Sequence, residues 1–183
     1  PEQEAYMARD VDFKPILTKV AALKPDILFV PGYYQEVGLI IRQAREMGLS
    51  MPIVGGDGWD SDKLVEIAGV SNLSRTYFCN HYSADDSNPK LQDFVKRYEA
   101  RYGTAPDSFA VTAYDAAGLA LEAIRAANSD KPADAAKALT TIRGYDGISG
   151  KITIDEQHNT VSSGIIMSFE NGRRTFMERI DPD

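Results

Sequence analysis

An aspartate set among glycines is the side chain best placed here to do chemistry. Asp57 lies in Gly55-Gly56-Asp57-Gly58-Trp59, where small neighbours let a ligand approach the backbone. A carboxylate in that setting suits a ligand's ammonium group. The other reading is a turn aspartate whose side chain caps local backbone. Earlier in the chain, Pro31-Gly32 breaks an apolar run and delivers Tyr33 and Tyr34. Tyr33, Tyr34 and Trp59 offer aromatic surface, or else they are core. A lone tryptophan after a turn is as often a packing anchor as a wall. Tyr82, at the end of a later strand, is a cleft-wall candidate on position alone.

Few other chemistries find the residues they need. His81 and His158 lie far apart without metal-ligand spacing. Asp57, Asp60 and Asp62 do not fit the calcium-loop pattern, nor do Asp85, Asp86 and Asn88. The GGDGWD stretch lacks dinucleotide-fingerprint spacing, and there is no P-loop or G-x-S-x-G elbow. Ser87-Asn88-Pro89-Lys90 matches S-x-x-K without its companion motifs, and Asn72-Leu73-Ser74 is a common chance triplet. The single cysteine, Cys79, rules out an internal disulfide and reads as a small core residue in an aromatic strand. With no catalytic or cofactor constellation, the site reads as built to hold rather than to convert. A net charge of −7 argues against nucleic acid. At 183 residues, 43% hydrophobic, the chain fits one domain, or one lobe plus pieces of another. No apolar run approaches the ~18 residues of a membrane span, and Pro1-Glu2-Gln3-Glu4 is no export signal.

The elements that must position Asp57 and Tyr33 alternate strand and helix. Ile27 to Val30 is a continuous apolar run, as expected of a parallel strand covered on both faces. A helix follows, with Val37, Ile40, Ile41, Ala44 and Met47 on one stripe and Gly48 at its end. Pro52 to Val54 forms the next strand and breaks at Gly55-Gly56. Before these, Asp12 is placed to cap a helix carrying Phe13, Ile16, Leu17, Val20 and Leu23, so the chain opens on a helix after a strand it does not contain. Asp60 or Ser61 caps a short helix with Leu64, Ile67 and Ala68. Arg75 to Tyr82 is strand-like, and Asn88-Pro89 starts another helix. The fold class is α/β with a parallel, doubly wound sheet, whose ligands bind outside the carboxyl ends of the strands.

After Gly103 the pattern changes. Residues 108–127 form a helix apolar around most of its circumference, which should be covered on several sides. If nothing covers it, the exposed patch should drive association. A weaker helix runs from about Asp134 to Ile142. Ile152 and Ile154 alternate, as do Ile165, Met167 and Phe169, and Asn171-Gly172 marks a hairpin turn before Thr175 to Ile180.

The GYY after the first strand, the RQAREMGL helix end, the GGDGWDS turn and PDSFAVTAYDA resemble the periplasmic binding proteins for branched-chain amino acids that serve ABC importers. The resemblance covers nearly the whole chain but only the second of that family's two lobes. It implies that 1–103 and 156–183 belong to the second, ligand-binding lobe, ending in a β-hairpin. Residues 104–155 would hold hinge crossings and helices that pack in the first lobe, most of which is absent. It implies that Asp57 grips the α-amino group, where some relatives carry Glu, that Tyr33 contacts the ligand, and that Phe109 packs on the ligand's side chain. The implied partners are a small amino acid, a membrane ABC permease and the missing lobe, and the implied location is periplasmic or extracellular. Alternatives within the same fold are a ligand-sensing regulatory domain, or an enzyme on a flavodoxin-like scaffold using Asp57 as base and Tyr33 as acid.

Overall fold

The computed structural model describes residues 2–182. In chain order the elements are α1 (Lys14–Leu23), β1 (Leu28–Phe29), α2 (Tyr34–Glu46), β2 (Ile53–Gly55), α3 (Asp62–Ala68) and β3 (Thr76–Asn80). Three helices follow, α4 (Pro89–Tyr102), α5 (Ser108–Ala127) and α6 (Pro132–Leu139). Five strands complete the chain: β4 (Tyr145–Asp146), β5 (Lys151–Ile154), β6 (Thr160–Val161), β7 (Gly164–Glu170) and β8 (Arg173–Ile180). They fall into two compact units. The first takes the chain up to Asn80 together with Ile166–Glu178, and the second takes His81–Ile165 and the residues from Arg179 onward.

The first unit is built on a sheet of order β1-β2-β3-β7-β8. Its first three strands are parallel, with Leu28 opposite Ile53 and Ile53 opposite Thr76, so the α/β parallel reading holds. Ile53, Phe78, Met167 and Phe169 of its strands are buried, as are Phe13, Leu17, Val37 and Ile41. The RQAR segment of α2 is structural. Gln43 Oε1 accepts the Phe13 N–H and its Nε2 donates to the Val11 carbonyl, both at 2.8 Å, pinning the approach to α1. The Arg45 guanidinium donates to the carbonyls of Leu49, Met51 and Ser74, tying the end of α2 to the starts of β2 and β3.

Ser61 caps α3 by accepting the Lys63 N–H, and Asn88 caps α4 by accepting that of Lys90. Asn171 and Gly172 both take positive φ, as a type I′ turn between β7 and β8 requires. Several expectations need correction. Helix α1 starts at Lys14 with Phe13 at its N-cap, and Asp12 only accepts the Lys14 N–H from outside. Helix α6 ends at Leu139. β1 is buried on one face only: Val30 is inside, while Ile27 and Phe29 are 53% and 64% exposed. Strand alternation sends these two to the far side of an edge strand, where they stay exposed. The same alternation buries Phe78 and leaves Cys79 exposed, so the cysteine is not a core residue.

In the second unit Leu91 and Phe94 of α4 pack with Tyr82, Val111 and Ile148, which places Tyr82 inside a core rather than on a wall. Leu119 packs with Ile152 and Ile154, flanked by Leu139 and Ile142. Helix α5 is covered along one stripe, Val111, Asp115, Leu119 and Ala123, at helical spacing. Phe109, Tyr114, Leu121 and Ile124 are exposed, so the cover expected on several sides is absent among the described residues. Asp115, 3% exposed, accepts the N–H groups of Ile148 and Ser149 at 2.7 and 2.9 Å and the Ser149 hydroxyl at 2.6 Å. No helix among the described residues is long and apolar enough to cross a membrane.

Candidate functional site

Parallel strands in register bring their carboxyl ends to one edge, and here that edge carries Tyr33 after β1 and Asp57 after β2. Asp57 opens a single 3₁₀ turn, Asp57-Gly58-Trp59, with its side chain exposed. Tyr33 is 61% exposed. Gly58 is what lets the two loops meet. A Cβ on Gly58 would lie 2.5 Å from the Gly32 carbonyl oxygen and 3.1 Å from the Tyr33 ring. Any larger residue there must push the Tyr33 loop away, because the nearest obstacle is backbone. Tyr34, half-buried, begins α2.

Trp59 has a different part. Its indole is 0% exposed, stacks on Phe78 at 6.2 Å, and donates from Nε1 to the Val30 carbonyl at 3.3 Å. It lies under the turn as a packing anchor and presents no surface to a ligand. Phe109 stands exposed on the first turn of α5, in the second unit. That unit also holds an open groove of about 380 Å³ between α5, α6 and β5. Its lining is mainly apolar, with Leu119, Leu139 and Ile154, and its polar groups are Thr140, His158 and Thr160, so it lacks a carboxylate to meet an ammonium.

Sequence reasoning missed the supports of this edge. Tyr6 donates its hydroxyl to the Pro31 carbonyl at 2.8 Å and sets its ring edge-on to Phe13, 5.5 Å between centroids. Burial, and then the nearby Glu36 charge, push its pKa up. The neutral phenol is the bonded form, so its stabilising contribution is complete below the unfolded pKa of about 10 and is lost as pH rises through the higher folded value. Tyr6→Phe is expected to cost about 0.5–1 kcal/mol at pH 8. That difference should fade in strongly alkaline solution; urea melts of both proteins at pH 8 and above pH 11 check it. No local signal marks Tyr6, because its partner is a backbone oxygen 25 residues away.

A family model described as periplasmic binding protein matches residues 2–173. The Leu/Ile/Val-binding protein homolog 1 of Brucella suis is 29% identical over 165 residues, 90% of this chain and 43% of that protein. Among solved structures, the leucine binding protein LivK of Thermotoga maritima superposes with a TM-score of 0.87 at 34% identity. The branched-chain amino acid transporter substrate binding protein LivJ of Streptococcus pneumoniae, solved in complex with isoleucine, gives 0.82 at 34%. Each similarity covers 97% of this chain and 51% of the solved one. The chain therefore spans about half the length of the proteins it resembles.

Proposed function

Because the chain belongs to the periplasmic binding protein family, we propose that it forms part of a solute-binding protein that takes a small amino acid, the branched-chain kind by default, through its ammonium at Asp57. The observation that carries this reading is the exposed Asp57 carboxylate held beside the exposed Tyr33 at aligned strand ends, with Gly58 making the approach possible. Tyr33 and Tyr34 supply aromatic neighbours, and Trp59 holds the turn from beneath. Phe109 is kept as the contact for the ligand's side chain on the resemblance alone.

On this reading residues 1–103 and 156–183 belong to one ligand-binding lobe, and 104–155 to hinge crossings and helices of another. Groups of that other lobe bind the carboxylate, hinge closure buries the ligand, and a membrane permease recognises the closed form. The place of action is then the periplasm or its extracellular equivalent. The similarity to a structure holding isoleucine supports the ligand class.

An ammonium gripped at an open half-site resembles a surface ion pair, worth about 0–1 kcal/mol. Leucine is therefore expected to bind this chain with a dissociation constant weaker than about 1 mM, a free energy smaller than roughly 4 kcal/mol. In an NMR titration the responding amides should be those of Tyr33, Tyr34 and 57–59, and Asp57→Asn should weaken the response by a few-fold, about fivefold at most. Shifts elsewhere, or an unchanged response in Asp57→Asn, would sink the assignment.

A further inference from the structure

A cation bonded to the residue that closes the Asp57 turn comes from the far end of the chain. Arg174, on β8, lies 114 residues beyond Asp60. Its Nη1 donates to Asp60 Oδ1, and its Nη2 donates to Asp62 Oδ1 at 2.7 Å. The arginine side chain is 28% exposed, while that of Asp60 is only 4% exposed. The Asp60 N–H donates to the Asp57 carbonyl at 3.0 Å, closing the turn that presents the Asp57 carboxylate. β2 thus fixes where the turn begins, and the guanidinium fixes where it ends. A planar fork held by two separate carboxylates sets direction as well as distance, which the point charge of a lysine does not. Removing the cation leaves the Asp60 carboxylate buried beside less positive charge, and the chain relieves that cost by moving Asp60 toward water.

We propose that Arg174 is a positioning residue for the Asp57 site, making the C-terminal hairpin part of the ligand-binding device. The functional half of this statement rests on the reading of Asp57 as the ammonium-binding group. The positional half does not.

The test is NMR on this chain and its variants, reading the Trp59 indole N–H, the amides of Asp57 and Gly58, and their response to leucine. Arg173→Gln, on the same hairpin and exposed, makes the same charge change and serves as control. Arg174→Gln is expected to shift the three turn resonances while Arg173→Gln leaves them in place. It should also weaken the leucine response by a few-fold, about fivefold at most, since the ion pair it misplaces is worth about 0–1 kcal/mol. Arg174→Lys should fall between the two.

Turn resonances that respond no more to Arg174→Gln than to Arg173→Gln overturn the proposal, as does a displaced turn that binds leucine as well as before. If the unaltered chain shows no leucine response at Asp57, the ammonium reading fails on its own and the turn resonances still decide the role of Arg174. Should Arg174→Gln unfold, Asp62→Asn removes one arm of the fork at an exposed carboxylate. It must then move the same resonances, and a null result there overturns the clamp.

Discussion

Trp59→Ala is expected to destabilise the first unit by about 3–5 kcal/mol, the range for deleting a fully buried large aromatic. The indole fills the space between the Asp57 turn and Phe78, and Phe78 in turn stacks on Phe169 at 5.3 Å. Its removal leaves a cavity beneath the candidate site and leaves the Val30 carbonyl without that donor. The tight fit also gives a sharper check. A Cβ on Gly55 would fall 2.2 Å from Trp59 Cε2 and 2.3 Å from Cζ2, so Gly55→Ala should cost about 1–3 kcal/mol through overpacking. In a Trp59→Ala background that penalty should vanish, since the methyl then enters empty space. Amide exchange across β2 and β3 in the four proteins of the cycle measures it. Equal costs for Gly55→Ala in both backgrounds, or a Trp59→Ala cost below about 1 kcal/mol, would refute this packing account.

Asp115→Ala is expected to cost the second unit about 2–4 kcal/mol. The substitution strips the acceptor from the amides of Ile148 and Ser149 at once, and a buried donor left unmet costs about 1–3 kcal/mol. Asn is no remedy, because its amide nitrogen would face a donor. Gly147 presses against the carboxylate, with room for no side chain of its own: a Cβ there would lie 2.7 Å from Asp115 Oδ1. The result should appear as faster exchange of the Ile148 and Ser149 amides and a lower melting point. An Asp115→Asn protein within about 0.5 kcal/mol of the original would show that the carboxylate does not hold this loop.

What was legible in the sequence is what local chemistry dictates. Asn88-Pro89 and Ser61 announced their helices because a capping oxygen acts two or three residues away, and Asn171-Gly172 announced its turn because few residues accept positive φ there. Asp57 and Tyr33 stood out because glycines beside them break strands at the edge where parallel sheets keep ligands. The part of Trp59 as an anchor could not be settled, since position along the chain says where a ring starts and not which way it turns. Arg174, Tyr6 and Asp115 were invisible for a common reason. Each acts on a partner 25 or more residues away, and no periodicity records such pairs. Cys79 and Ile27 are exposed despite their apolar character, because burial also requires something on the other side.

One sheet face, exposed at Phe29 and Cys79 and half-buried at Val54 and Tyr77, gives the chain a built-in gauge. Register places Phe29, Val54 and Tyr77 in one row, and Cys79, two residues beyond Tyr77, shares their side of the sheet. It is the single thiol of the chain and it is exposed. The speed at which a thiol reagent modifies it therefore reports the cover on that face directly. A bare face reacts like a free surface thiol, and any polypeptide laid across Phe29 and Val54 slows the reaction. The same thiol makes oxidation a hazard in handling, since two bare faces meeting in air can be joined covalently through Cys79 and mistaken for a native assembly.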